Sequence, residues 1–298
     1  MGHNSPMHQH KRQGITLVLG SGGARGLAHV GVLRALEEMQ VPIAAVVGCS
    51  IGAQIGALYC AGIPVADLEM EAQGMRWWEA LRLFFPDFGG GGLSSGGAIE
   101  GYLRQRLGDR DIQDFATPFA CVATDLVAGR EVVLTEGPAL AAVRASIALP
   151  VVLSPQRLGG RILADGGLVD PVPVVVARAL FPGPLLAVLV HVATQHDEPW
   201  PPRDNGMLPR INLFNRGDDW VADLPYPNLV QTMRRAVEIM QGRIVEMQLQ
   251  TSPADLTLQP KLGNILTLEF HKGEAAVAAG YRAAREATAA IMALLQRE

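Results

Sequence analysis

Short apolar runs alternate with helical patterns from Gly14 onward, and this alternation is the feature that most restricts the fold. Two intervening stretches, ARGLAHVGVLRALEEMQ and IGAQIGALYCAG, have helical spacing, and the alanine-rich GEAAVAAGYRAAREATAAIMALLQRE predicts one closing helix. The alternation predicts an α/β fold of three layers, with a central, mainly parallel sheet flanked by helices. The candidate strands are ITLVLG, AAVVGCS, FACVATDL, EVVLTE, RILADG, LLAVLVHV and ADLTLQP.

Composition agrees with one large core. Of the 298 residues, 49% are hydrophobic and 18% are charged, which is typical of a globular chain rather than a disordered one. The polar start MGHNSPMHQHKRQG predicts a disordered tail over 1–13 whose histidines are not metal ligands. No later stretch has the character of a linker, so 14–298 is expected to form a single domain.

The charge and the cysteines restrict which partners the protein could bind and in which cellular compartment it could reside. The 25 basic residues are scattered among 29 acidic ones, which argues against a nucleic-acid partner. The three cysteines lie in apolar stretches and are not spaced like metal ligands: Cys49, Cys60 and Cys121. This usage is typical of a protein in a reducing compartment. The longest apolar run, LLAVLV, is too short to span a membrane. We therefore expect a cytoplasmic protein, with peripheral contact to the inner membrane left open.

One serine stands between two glycines where a strand is predicted to turn into a helix. Ser50 lies between Gly48 and Gly52 in AVVGCSIGAQIG. In such a turn the backbone lifts the central side chain clear of the sheet, next to the unsatisfied N–H groups that begin the helix. A serine at this point also fits an ordinary helix cap, so the pattern needs support from elsewhere in the chain.

A glycine-rich loop, GSGGARG at 20–26, directly follows the first predicted strand and opens a helix. Such a loop is suited to binding an anion, either a phosphate or an oxyanion. A dinucleotide site would require an acid at the end of the second strand, where Cys49 and Ser50 stand instead, and a phosphate loop of the Walker type would require Gly-Lys-Ser/Thr. Parallel neighbouring strands would instead deliver this loop and Ser50 to the same sheet edge.

An acid followed by two glycines, Asp165-Gly166-Gly167, comes after the short apolar run RILA. The pattern also fits a simple turn. As a partner for Ser50, however, a partly desolvated carboxylate would be basic enough to accept the hydroxyl proton.

In this order the three motifs resemble the patatin-like phospholipases, close to the bacterial and neuropathy-target-esterase-like branch. The resemblance covers about 15–290 and is carried by GSGGARGLAHVGVLRALEE, GCSIGAQIGALYCAG, VRASIALPVVLSP, LADGGLVDPVPV and the late SPADLTLQP and AAVAAGYRAA. It implies a serine hydrolase that cleaves acyl esters of lipids without a metal or other cofactor.

The resemblance also implies the roles of individual residues. Ser50 would be the nucleophile and Asp165 the general base, while Gly22, Gly23 and Arg25 would form and support the oxyanion hole. Six further glycines would shape these turns: Gly20, Gly26, Gly48, Gly52, Gly166 and Gly167. Family members often carry Asn at the position of Asp170 and Thr at that of Cys49, and these departures would bear on substrate choice.

Other residues could replace or extend the Ser-Asp pair. His191 or His196 would complete a Ser-Asp-His triad in the chain order of α/β-hydrolases, although the loop at 20–26 matches the patatin pattern better. Cys49 offers a thiol but, next to Ser50 along a strand, should point into the core. His29 and Asp125 are expected to be a packed residue and a turn acid.

The stretch MRWWEALRLFFPDF and the glycine run after it fit either core packing or a lid at a lipid surface. A regulatory protein that keeps the fold and binds a membrane or a partner is the competing function. The sequence leaves open which acyl ester is cleaved and the oligomeric state.

Overall fold

A computed structural model describes residues 13–74, 96–150, 152–190 and 229–296. Within these ranges eight strands form one sheet in the order β5-β6-β3-β2-β1-β7-β8, with β4 paired to β3. The strands are β1 Ile15–Leu19, β2 Ile43–Cys49, β3 Phe119–Asp125, β4 Arg130–Leu134, β5 Gln156–Leu158, β6 Arg161–Asp165, β7 Leu185–Val188 and β8 Leu256–Leu258.

The five strands β3, β2, β1, β7 and β8 run parallel, while β4, β5 and β6 are antiparallel to their neighbours. This confirms the expected mainly parallel sheet. The described helices are α1 Ala28–Glu38, α2 Ile51–Cys60, α3 Val65–Gly74, α4 Gly97–Leu107, α5 Ala139–Ser146, α6 Val174–Leu180, α7 Leu229–Thr251, α8 Gly273–Glu286 and α9 Thr288–Leu295.

Side chains alternate between the two faces of the sheet, and each face is buried under helices. Leu17, Leu19 and Leu186 belong to a core cluster shared with α1, α2 and α8. Val18, Val47 and residues of β7 belong to a second cluster with α6 and α7. Because both faces of the central strands are covered, these strands consist of continuous apolar runs. The predicted three-layer α/β fold is therefore confirmed.

The predicted single closing helix is wrong in one respect. It is interrupted at Ala287, which separates α8 from α9. Alanine favours helix, so the interruption comes from packing: α8 lies so close to α1 that a Cβ on Gly280 would overlap the Ala28 carbonyl, while α9 buries Ile291 and Leu294. Both segments bury apolar side chains, among them Val277 in α8 and Ile291 in α9.

Some sequence expectations fall outside the described residues. These are the disordered tail at 1–12, the aromatic stretch 75–95, and the irregular region 191–228, which includes His191 and His196.

Candidate active site

Ser50 occupies the turn between β2 and α2 in a strained backbone conformation. Its φ of 56° and ψ of −124° lie in a region that residues with a side chain rarely adopt. The turn is tight because a Cβ on Gly52 would overlap the backbone carbonyl of Leu19 in β1. The Ser50 N–H donates to Ser146 Oγ at 3.0 Å, and the Ser146 hydroxyl donates to the Val122 carbonyl at 2.7 Å. The turn thus presents the Ser50 hydroxyl at the sheet edge.

The register of β3 brings Asp165 to this hydroxyl. Cys49, the last residue of β2, pairs with Val122, and Asp165, the last residue of β6, pairs with the next residue, Ala123. Ser50 Oγ consequently donates to Asp165 Oδ2 at 2.5 Å, although 115 positions separate the two residues. The other carboxylate oxygen, Oδ1, accepts the Gly167 N–H at 2.8 Å.

The surroundings of Asp165 increase its basicity. Its exposed fraction is 1%, and this burial raises its pKa from 3.8 to about 6, against the hydrogen bonds from Ser50 and Gly167, which lower it. A carboxylate with this pKa is ionised at neutral pH and accepts a proton more readily than a solvated aspartate.

The glycine loop leaves β1 beside Ser50 and leads into a 3-10 helix, Gly23–Leu27. The N–H groups of Ser21 and Ala24 donate to backbone carbonyls, whereas those of Gly22 and Gly23 find no acceptor in the described part of the chain. Gly23 has a φ of 58°, which favours glycine. Two unsatisfied donors at a helix start make an anion-binding position.

Two buried side chains anchor this loop: His29, which follows it in α1, and Arg25, which belongs to it. The His29 Nε2–H donates to the Gly20 carbonyl at 2.8 Å, and burial lowers the pKa of His29 to about 4, so the ring is neutral. The Arg25 guanidinium donates to Thr267 Oγ1 at 3.3 Å. His29 is thus packed, as expected, and Arg25 links the loop to a segment 242 positions away.

An apolar cleft opens at Ser50. Gly23, Ser50, Gln54 and Thr267 contribute to its wall, and the rest is aliphatic or aromatic. A cleft of this character suits a hydrocarbon chain whose polar end lies at Ser50. The apolar lining residues are Ile51, Ile99, Ile147, Leu149, Val152, Leu153, Leu268 and Phe270.

The sequence model of the family described as patatin-like phospholipase matches residues 17–178, more than half of the chain. The protein belongs to the patatin-like phospholipase family. This patatin-like chain is 29% identical to an uncharacterised NTE family protein of Mycobacterium tuberculosis, over 92% of the chain and 91% of that protein.

Longer eukaryotic proteins are also similar to it. Lysophospholipase NTE1 of Pyricularia oryzae is 30% identical over 90% of the chain, and human patatin-like phospholipase domain-containing protein 6 is 29% identical over 90%. The chain spans only 18% and 20% of their lengths. Among solved structures, VipD from Legionella pneumophila superposes with a TM-score of 0.56 at 14% identity, covering 95% of this chain and 67% of VipD. That likeness concerns the fold.

The glycines singled out in the sequence lie at the turns of this patatin-like site. Gly20 and Gly26 belong to the loop after β1, Gly48 precedes the serine turn, and Gly166 and Gly167 follow Asp165 in a 3-10 helix. A Cβ on Gly26 would overlap Ile51 of α2, and one on Gly166 would overlap the Val122 carbonyl. These glycines let the three turns approach one another.

Other candidate groups lie elsewhere. Cys49 is fully buried among core residues, and burial raises its pKa well above 9.0, so its thiol stays protonated. Asp125 accepts the N–H groups of Val127 and Ala128, as a turn acid does. Asp170 is buried, with Gln248 donating to it at 3.1 Å, and burial raises its pKa. In the described ranges no three His, Cys, Asp or Glu residues are grouped to hold a metal ion.

Sequence reasoning missed Ser146, Thr267 and the cleft-lining residues Leu268 and Phe270. Ser146 stands in the quoted stretch VRASIALPVVLSP, but nothing local shows that its hydroxyl holds the serine turn. Thr267 and its neighbours lie in a segment without regular periodicity.

Proposed function

We propose that the protein is a serine hydrolase that cleaves acyl esters of lipids, of the phospholipase A or lysophospholipase type, with Ser50 as nucleophile and Asp165 as general base. The 2.5 Å hydrogen bond from Ser50 Oγ to a buried carboxylate, with Ser50 lining an apolar cleft, carries the proposal. The family membership supports lipid ester hydrolysis as the reaction class.

In the acylation step, Ser50 Oγ attacks the ester carbonyl carbon while its proton passes to Asp165 Oδ2. The carbonyl oxygen becomes an oxyanion, which accepts hydrogen bonds from the N–H groups of Gly22 and Gly23. Each such donor is worth about 10²- to 10³-fold in rate. Asp165 then returns the proton to the departing alcohol, which leaves an acyl-serine.

In the deacylation step, water attacks the acyl-serine and gives its proton to Asp165. The second tetrahedral intermediate collapses, Ser50 recovers the proton, and the fatty acid is released. The chain's own groups carry each proton, so this scheme requires no cofactor. Arg25 supports the loop through its hydrogen bond to Thr267.

The cleft indicates the substrate class. Its apolar wall would hold the acyl chain, while the alcohol portion would leave toward solvent. Of the helices within the described ranges, none is long and apolar enough to cross a bilayer. We propose that 14–298 acts as one hydrolase domain that takes lipid substrates by peripheral contact with a membrane.

A direct test uses a fluorescent fluorophosphonate, which phosphonylates activated serines, together with fatty-acid release from lysophosphatidylcholine and phosphatidylcholine. We expect covalent labelling and release from at least one lipid, with both lost after heat denaturation. A native protein that neither reacts with the probe nor releases fatty acid would contradict the proposal and favour a binding or regulatory role.

The pKa of Asp165 predicts the pH dependence of hydrolysis. The base must be ionised, so kcat/KM should be constant above about pH 6 and fall about tenfold per unit below it. A stopped assay with a chromogenic ester measures this profile. The matched control is Asp170→Asn, which removes another buried acid and should leave the acidic limb unchanged. If that limb vanished in Asp170→Asn, Asp165 would not be the titrating group.

Narrowing the cleft should change the preference for chain length. Leu149→Trp adds bulk to the wall, and each excluded methylene forfeits about 0.8 kcal/mol of burial. We expect kcat/KM for the p-nitrophenyl laurate ester to fall on the order of tenfold relative to the butyrate ester. Leu126→Trp, at an exposed position outside the lining, is the control. Equal effects on both esters would contradict this role of the cleft.

A further inference from the structure

We infer that Glu238 of α7 is a positioning residue for the glycine loop at 20–26, called the oxyanion loop below, and that it acts through Thr267 and Arg25. The inference rests on the proposed function, because it concerns the same site. The inference adds a residue distant in sequence: Glu238 lies 188 positions after Ser50 and contacts Thr267 and Arg25.

The three side chains form one buried cluster. The exposed fractions of Arg25, Glu238 and Thr267 are 6%, 8% and 7%. The Thr267 hydroxyl donates to Glu238 Oε1 and accepts from Arg25 Nη2. Arg25 Nη2 also lies 3.8 Å from Glu238 Oε1, which completes a triangle of a cation, a hydroxyl and an anion.

Thr267 transmits the position of this cluster to the oxyanion loop. Its carbonyl accepts the Ala24 N–H at 2.8 Å. It also packs so closely on Gly23 that a Cβ there would overlap both its carbonyl and its side chain. Gly23 and Thr267 line the cleft together with Ser50. The place of Thr267 therefore fixes the direction of the Gly23 amide.

Charge explains why an acid stands at position 238. A guanidinium buried in the interior needs a nearby anion, and Glu238 supplies it. Glu238 also pairs with Arg235 Nη1 at 3.3 Å, on the same helix. Buried ion pairs contribute more to fixing one conformation than to net stability in some proteins, which is the role that the loop requires.

The same face of α7 lies against the turn Gly166–Leu168, which follows Asp165. Glu238, Gln241, Val245 and Gln248 follow helical spacing, and Gln248 donates to Asp170. Gln241 Nε2 would stand 2.5 Å from a Cβ on Gly167, whose N–H binds Asp165. One helix face thus contacts both the oxyanion loop, through Thr267, and the turn that follows the general base.

The test compares Glu238→Gln with Glu246→Gln, which removes an exposed acid of the same helix that pairs with Arg243. Concentrations of active enzyme are obtained by titration with a fluorophosphonate, so that kcat refers to folded, reactive sites. We expect Glu238→Gln to lower kcat about 10- to 100-fold with KM changed less than about threefold, since a displaced oxyanion donor weakens the transition state and not ester binding. Glu246→Gln should match the wild type.

Thr267→Val provides the second arm, because it removes the hydroxyl and keeps the shape and the carbonyl. It should give the same kcat loss, and the double variant should lose no more than about threefold beyond the worse single variant, as expected for residues that act as a unit. If Glu238→Gln does not fold, Thr267→Val alone decides the matter.

Two results would overturn the inference. One is a wild-type kcat per titrated site in Glu238→Gln or, where that variant does not fold, in Thr267→Val. The other is independent, multiplicative losses in the double variant. Failure of the proposed function would give a different result from either of these. In that case the wild type itself would show no turnover that depends on Ser50.

Discussion

We expect the Ser50→Ala variant to hydrolyse acyl esters at least about 10⁴-fold more slowly than the wild type, because loss of a nucleophile removes the covalent route entirely. The fluorophosphonate should no longer label the protein. The measurement is the initial rate with a p-nitrophenyl ester at equal concentrations of folded protein, with unfolding temperatures recorded in parallel.

The backbone at position 50 adds a thermodynamic signature to this loss. A φ of 56° with a ψ of −124° costs a residue with a side chain about 1 to 3 kcal/mol. Ser50→Gly relieves that strain, although glycine gains about 0.4 to 1 kcal/mol of entropy in the unfolded chain. We therefore expect Ser50→Gly to be as inactive as Ser50→Ala and to unfold at a higher temperature than Ser50→Ala, since both variants lack the hydrogen bond to Asp165. Such a result would show that strain is maintained for the serine.

Cys49→Ala is the matched control for substitution of the neighbouring Ser50. The Cys49 thiol is fully buried and its pKa is raised, so its removal should leave ester hydrolysis and probe labelling unchanged. Substantial hydrolysis by Ser50→Ala, or its loss in a folded Cys49→Ala, would contradict the assignment of Ser50.

Local sequence predicts the parts of the site that are built from consecutive residues. The loop after β1 and the serine turn after β2 each follow an apolar strand, and parallel pairing of Leu19 with Gly48 brings them to one edge. Asp165 was predicted from its own turn. Its closeness to Ser50 is implied by the family resemblance and not by the local pattern, because β6 runs antiparallel and the register on β3 depends on packing across the whole sheet.

Contacts between distant segments were beyond sequence reasoning for the same reason. Thr267 and Glu238 meet the oxyanion loop only because α7 and the segment before α8 pack over the sheet edge. A buried acid in α7, where polar and apolar residues are equally frequent, has no local signal that distinguishes it from the exposed Glu246. The interruption at Ala287 likewise reflects tertiary packing that overrides helix propensity.

We expect Asp165→Asn to fold and to lose on the order of 10²- to 10⁴-fold in kcat/KM, the range typical of a general base. The amide oxygen still accepts the Gly167 N–H, so the turn keeps its geometry, but the side chain no longer accepts the Ser50 proton. The rate with a chromogenic ester checks the loss, and Asp170→Asn, the same change at another buried acid, should retain activity.

The Asp165→Asn substitution, which lowers activity, should leave the unfolding temperature at pH 7 to 8 unchanged or raise it. Because burial raises the folded pKa of Asp165 to about 6, the unfolded state ionises first, and wild-type stability falls as the pH rises from about 4 to about 6. The neutral Asn side chain does not ionise, so the variant should unfold at the same or a higher temperature than the wild type at pH 7 to 8. Thermal unfolding at several pH values measures this difference.

Substantial turnover in Asp165→Asn would contradict the Ser-Asp pair and favour a histidine as the base. His191 and His196 follow β7 in the sequence, in the order that a Ser-Asp-His triad requires. His191→Ala and His196→Ala would then separate the two mechanisms, because a triad loses its base with one of them, whereas the Ser50 and Asp165 pair keeps its full rate in both.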